Sequence, residues 1–353
     1  MVKEYGYEYD AVLDKAIYNN TKGKVVYKKI MGALCMRSGR DALKAVAREF
    51  VQTEVLIPAL SCDSMALPFE IYGHKVKYYR LRKDYSIDLD NVYSLITKTT
   101  EPTLFLYMDY LGNKAIDDVE LEQMRINYPE MVFIEDRTHN FLIKSRRSFK
   151  PDFIIASLRK WLDIPDGGLL WTYRELKNTK YSEDLTFFES RLQAQCMRHT
   201  FLQCGDEEIK KKYRKIFSTI TDLIDREKLP GLMSQYSYEK VCKTNFEKIV
   251  AIRRRNAQIL IDELENFKLV QSESGNGDVY VAVLINNRDV IQRRLASMGI
   301  FCTVIWPLND KQRESCSVAK YTEEHILTIY CDQRYSVEDM IYVASSIRGI
   351  YNE

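Results

Sequence analysis

The sequence predicts an α/β protein: a large domain on a mostly parallel sheet covered by helices, followed by a smaller C-terminal α/β domain. Three observations predict it. Between Val55 and Thr172, short runs that are apolar on both faces alternate with helical stretches, the pattern of parallel strands buried on both sides. After Tyr173 the texture changes to long charged helical stretches, and strands return only late in the chain, which marks a second α/β unit. The length of 353 residues also exceeds the roughly 250–300 at which single cores stop growing.

Each element has its own signal. Ser38-Gly39-Arg40-Asp41 is a small-residue start followed by Leu43, Val46, Ala47 and Phe50 at helical spacing, so a helix begins there. Val55-Leu56-Ile57-Pro58 is a short strand. After another apolar helix-like stretch, Gly73 leads into the alternating run Lys75-Val76-Lys77-Tyr78-Tyr79. Further strands are expected over 103–108, 131–134, 153–156 and 168–172. Helical stretches follow over 206–228 and 238–267, separated by Leu229-Pro230-Gly231. Strands over 279–285 and 301–305 with a helix between them, and a last helix over 336–350, complete the small unit.

Composition excludes several function classes. With 52 Lys+Arg against 50 Asp+Glu the formal charge is +2, which argues against nucleic-acid binding by counterion release, since that needs a concentrated basic surface. The clusters Lys210-Lys211-Lys212 and Arg253-Arg254-Arg255 lie in helical stretches near acids and read as solvated faces. No apolar run approaches the roughly 20 residues of a membrane helix, and the chain begins with acid where a signal peptide is apolar. A cytoplasmic protein is expected. Eight cysteines without a C-x-x-C pair, beside four histidines, signal neither a metal site nor a disulfide framework.

In a parallel sheet, ligands sit beyond the carboxyl ends of the strands, so the polar residues after each apolar run come first. Glu135-Asp136-Arg137-Thr138-His139 follows one strand; Ser157-Leu158-Arg159-Lys160-Trp161, then Asp166-Gly167-Gly168, follows the next. Upstream, Ser38-Gly39-Arg40-Asp41 offers free backbone N–H groups at a helix start, a ready anion site. A lysine to bond a carbonyl carbon, a carboxylate to pair with a pyridinium nitrogen and a helix start to take a phosphate are the parts that hold pyridoxal phosphate.

In this order the segments resemble the sugar aminotransferases of the DegT/DnrJ/EryC1/StrS group, over most of the chain. The resemblance implies the three-layer α/β/α architecture of fold type I pyridoxal-phosphate enzymes. Ser38-Gly39-Arg40-Asp41-Ala42-Leu43 looks like the group's phosphate segment, which puts Gly39, Arg40 and Asp41 at the cofactor. Ile134-Glu135-Asp136-Arg137-Thr138-His139 resembles its E-D-x-x-[QH] motif, making Asp136 the pyridinium partner and placing His139 near the ring's phenolic oxygen. Lys160 with Asp166-Gly167-Gly168 resembles K-x5-[ED]-G-G, which makes Lys160 the cofactor-bonding lysine. Tyr110-Leu111-Gly112 sits at the H-x-Y-G-like turn, with Asp109 where that motif has histidine. Three departures stand beside these matches. The usual S-F-H-x-x-K is shortened to Ser157-Leu158-Arg159-Lys160, which keeps Ser157 near the phosphate, and the ring-stacking aromatic falls at Cys62. The N-Y-R-[ML]-[ST] segment, whose Asn reaches the neighbouring subunit's cofactor, is replaced by Pro230-Gly231-Leu232-Met233-Ser234, leaving Ser234 or Tyr236 as candidates for that contact.

The resemblance implies an aminotransferase that carries nitrogen from an amino acid, glutamate, to a keto group of a nucleotide-linked sugar, as in surface polysaccharide synthesis. It also implies a homodimer with shared sites, an N-terminal segment (1–30) packed on the small domain, a large domain (31–235) and a small domain (236–353). Arg334 and Tyr335, after the apolar run 326–330, are candidates for the substrate side, with ion pairs that anchor the small domain as the alternative role of Arg334. A different pyridoxal-phosphate reaction, for example on an amino acid, and a non-catalytic relative stay open beside this reading.

Overall fold

The structure, a computed structural model, describes residues 2–96, 102–142, 147–271, 273–275 and 278–353. Its first strands are β1 (Tyr5–Gly6), β2 (Lys29–Ile30), β3 (Ala33–Met36), β4 (Glu54–Pro58), β5 (Lys75–Tyr79) and β6 (Leu104–Met108). They are followed by β7 (Val132–Asp136), β8 (Phe153–Ser157), β9 (Gly168–Thr172), β10 (Lys268–Leu269), β11 (Tyr280–Leu284), β12 (Ile300–Phe301) and β13 (Ile326–Tyr330). The helices are α1 (Lys15–Thr21), α2 (Gly39–Ala47), α3 (Asp63–Glu70), α4 (Leu89–Leu95), α5 (Asp118–Asn127), α6 (Thr186–Cys204) and α7 (Glu207–Arg226). Then come α8 (Gln235–Cys242), α9 (Phe246–Glu263), α10 (Arg288–Ser297), α11 (Asp310–Ser315), α12 (Ser317–His325) and α13 (Val337–Asn352).

The large sheet has the order β2-β3-β9-β8-β7-β6-β4-β5. Strands β5, β4, β6, β7 and β8 are parallel, while β9 runs antiparallel to β8 and β3 antiparallel to β9. Parallel neighbours need crossovers, and α3, α4 and α5 supply them between β4, β5, β6 and β7. β6 and β7 are buried at every residue, which is why their sequence is continuously apolar until the polar end of β7. A second, antiparallel sheet, β10-β11-β13, carries its own apolar core against α9, α10 and α13. β1 pairs in parallel with β12, so the N-terminal segment lies on this C-terminal unit. Among the described residues no helix is long and apolar enough to cross a membrane.

Three expectations are corrected. The stretch 238–267 is two helices: the Asn245 side chain accepts the Lys248 N–H and starts α9 afresh. The strand expected over 301–305 is only Ile300–Phe301, because Thr303 leaves β12 to exchange backbone hydrogen bonds with Thr328. Arg253, expected on a solvated face, is 1% exposed.

Candidate active site

The register of the large sheet assembles the site. Asp136, the last residue of β7, pairs with Ile155 of β8, so its carboxylate lies beside the 3-10 turn Leu158–Lys160 that follows β8. Thr138 ties the two strand ends together. Its N–H donates to Asp136 Oδ1 (2.7 Å), its hydroxyl accepts the Ser157 N–H (3.1 Å), and its carbonyl accepts Trp161 Nε1–H (2.7 Å).

The start of α2 is brought to the same place by glycine. A Cβ on Gly168 would stand 2.3 Å from the carbonyl carbon and oxygen of Ser38, and one on Gly39 would touch the Ser157 side chain at 3.4 Å. Only a residue without a side chain lets β9 and this loop pack so closely. The neighbouring Asp166 holds the other flank: fully buried, it accepts hydrogen bonds from Ser234 N–H and Oγ (both 2.7 Å) and from the Ser237 hydroxyl.

These elements enclose a cavity of about 190 Å³ into which Gly39, Arg40, Asp136, His139, Ser157 and Lys160 project. Cys62, at the head of α3, is on its wall with its thiol against the Ser64 hydroxyl. Burial raises the Asp136 carboxyl above the ordinary aspartate range, opposed by hydrogen bonding from Thr138 and by the Lys160 charge. Burial, then the Lys160 charge, holds the His139 imidazole well below its usual range, so it is neutral at pH 7. Neither of its ring nitrogens has a hydrogen-bond partner among the described residues. A buried polar group left unpaired is costly, and here both lie at a cavity.

Asp41, by contrast, turns away. Its carboxylate accepts from Arg37 Nη2 (2.8 Å), Ser38 Oγ (2.5 Å) and Gly231 N–H (2.9 Å), and its own N–H is taken by Ser38 Oγ (3.1 Å). It braces the loop, leaving Gly39 and Arg40 as the first-turn N–H groups at the cavity. Arg334 and Tyr335 also lie outside the cavity. Arg334 is clamped by Asp332 (2.7 Å) and donates to the Glu8 carbonyl (3.1 Å), while the Tyr335 hydroxyl accepts the Gly6 N–H (2.6 Å). Both are spent on holding the N-terminal segment.

One wall residue is missed by strand-end reasoning, and another lies in a segment it picks out without being assigned a role there. Trp306 stacks on His139 with centroids 5.4 Å apart at 13°, and Lys160 Nζ lies 5.8 Å from its ring centre. It arrives from the C-terminal unit, in the apolar run Val304-Ile305-Trp306-Pro307-Leu308, which reads as core and not as a site. Arg159 lines the cavity from beside Lys160. Arg253 reaches in from α9 to donate to the carbonyls of Lys160 (3.1 Å) and Trp161 (3.3 Å) and to the Tyr9 hydroxyl (2.7 Å), fixing the backbone of the lysine turn.

No family model and no curated protein matches the chain. Solved structures do. Helicobacter pylori PseC, an aminotransferase involved in the biosynthesis of pseudoaminic acid, is 13% identical and superimposes with TM-score 0.66 over 99% of this chain and 100% of that one. Spr1654 of Streptococcus pneumoniae, in its PLP-form, gives 13% identity and TM-score 0.69 over 99% of each chain. A DegT DnrJ EryC1 StrS aminotransferase from Brucella abortus gives 14% identity and TM-score 0.64 over 91% of this chain and 86% of that one. Likenesses at this level of identity establish architecture: the chain folds as the DegT/DnrJ/EryC1/StrS aminotransferases do.

Proposed function

We propose that this protein is a pyridoxal-phosphate-dependent aminotransferase that moves an amino group from an amino acid, glutamate, to a keto group of a nucleotide-linked sugar. The observation that carries the reading is the convergence of Lys160, Asp136 and the unpartnered His139 on one cavity closed by the start of α2. The residues fit the cofactor: a buried imidazole with two orphaned nitrogens suits the phenolic oxygen, and the Gly39 and Arg40 N–H groups with Ser157 suit the phosphate. Cys62 stands where a stacking aromatic is usual, and Trp306 supplies an aromatic wall from the other unit. The nucleotide-sugar acceptor rests on the sequence resemblance and on the fold shared with PseC.

When bound, pyridoxal phosphate supplies an electron sink for the carbanion formed beside the donor nitrogen. Asp136 holds a proton on the ring nitrogen, an ion pair that also repays the cost of burying its carboxylate. Lys160 would hold the cofactor through its Nζ, and the same amine, when free, would move the proton at the donor's α-carbon. His139, neutral, hydrogen-bonds the phenolic oxygen. Trp306 and His139 exclude water over Lys160.

The same reading takes the protein to act in the cytoplasm as a homodimer. Tyr27, Met31 and Tyr173, large apolar side chains more than half exposed near the β2–β3 edge, are available for a second subunit to cover. The test is the visible absorption spectrum with pyridoxal phosphate, before and after glutamate, beside Lys160→Ala. A band that bleaches with glutamate and is missing from the variant supports the reading; absence of a band from the wild type overturns it.

A further inference from the structure

Three guanidinium groups gather behind the start of α2. Arg40 is ion-paired with Asp225 at 3.0 Å, and Arg191 with Glu8 at 2.6 Å while also donating to the Pro165 carbonyl. Arg159 forms no ion pair or hydrogen bond among the described residues; its Nε is enclosed without a partner, and its guanidinium carbon lies 5.7 Å from the centre of the Phe187 ring. Burial, then the like charge of Arg191, pushes its guanidinium down to about 9, with Arg40 adding to the effect and Glu8 and Asp166 opposing it. An arginine still carries its charge at neutral pH, and among the described residues no carboxylate, Glu8 and Asp166 included, comes within ion-pair distance of it.

The residues that the sequence offers for the missing cross-subunit phosphate contact are occupied elsewhere. Ser234 spends its N–H and hydroxyl on Asp166, and the Tyr236 hydroxyl accepts the Asp14 N–H at 3.3 Å in a site 1% exposed. Arg159, in the same turn as Lys160 and facing the same cavity as Gly39, Arg40 and Ser157, is free to do it.

We propose that Arg159 binds the cofactor's phosphate from within the subunit that supplies Lys160, replacing the contact that an asparagine of a neighbouring subunit would make. This rests on the cofactor reading above. A guanidinium matches a phosphate dianion with two parallel N–H donors, and with the α2 N–H groups it would make the phosphate site complete in one chain.

The test compares binding of pyridoxal phosphate, of pyridoxal without its phosphate, and of inorganic phosphate to wild type, Arg159→Gln and Arg159→Lys. Arg159→Gln is expected to weaken pyridoxal phosphate about 10- to 100-fold and to leave pyridoxal unchanged, with Arg159→Lys between them. Inorganic phosphate should raise the thermal midpoint of the wild type and not of Arg159→Gln. Since Arg159 leaves no partner behind, the cofactor-free variant should unfold at or above the wild-type temperature. Equal affinity of wild type and Arg159→Gln for pyridoxal phosphate, or equal loss of both aldehydes, overturns the inference. A wild type that binds neither aldehyde overturns the cofactor reading and this inference with it.

Discussion

Gly168→Ala tests how the phosphate loop is built. The added Cβ would lie 2.3 Å from Ser38 C and O and 2.7 Å from Gly39 N, so the worst contact is 1.1 Å inside the 3.4 Å at which ordinary contact begins. The atoms it meets are backbone on both sides, β9 against the start of α2, so no side-chain rotation relieves it. Overpacking costs about 1–3 kcal/mol, and a backbone clash belongs at the top of that range, about 3 kcal/mol. In a chain of this size that corresponds to a fall of roughly 4 °C in the thermal midpoint. Relief by moving the loop also displaces the Gly39 N–H from its line into the cavity, so affinity for pyridoxal phosphate should fall at least about tenfold. Gly349→Ala is the control: nothing lies within 4 Å of its Cβ position in α13, and the better helix former should add up to about 1 kcal/mol. Differential scanning calorimetry and cofactor titration read both effects. A Gly168→Ala protein with the wild-type midpoint and affinity would refute the close-approach argument.

Other perturbations follow from the same geometry. Arg253→Met removes the donor to the Lys160 carbonyl and to the Tyr9 hydroxyl; loss of these buried charged hydrogen bonds should cost about 3 kcal/mol in urea unfolding and lower turnover, and wild-type values of both would count against its positioning of the lysine turn. Asp136→Asn keeps the acceptor for the Thr138 N–H but removes a buried charge whose pKa is raised in the folded protein. In the cofactor-free state the variant should therefore match or exceed wild-type stability at pH 8 while losing turnover. For a carboxyl raised on folding, the penalty is full above the folded pKa and vanishes below the ordinary aspartate range, so the stability gap should close on acidification; a gap that widens would contradict the sign. Asp166→Ala strands the Ser234 and Ser237 donors in a fully buried site, and should cost about 3–5 kcal/mol by chemical denaturation; a loss under about 1 kcal/mol would show that the serines find other acceptors.

Much of this arrangement is legible in the sequence because parallel strands buried on both faces leave continuous apolar runs. β4 to β9 sit within a residue or two of the stretches that predict them, and Lys160, Asp136 and His139 meet because strand ends converge. The two-residue strands β1, β2 and β10 carry no such pattern; tertiary pairing alone defines them. The same strand-end rule sends Arg334 and Tyr335 toward the cavity, but Asp332 captures the arginine two residues away and the N-terminal segment takes the rest. Arg253 reads as a solvated cation because three consecutive arginines show no sign of which one is buried. Trp306 and the missing partner of Arg159 are facts of packing between distant segments, which no local pattern records.

The most direct test of the central claim is borohydride reduction of the wild-type protein equilibrated with pyridoxal phosphate, followed by peptide mass spectrometry. The account predicts stoichiometric labelling of Lys160, abolished when glutamate is added before the reductant because the cofactor then leaves the lysine. Label on another lysine, or none with cofactor in excess, would contradict it.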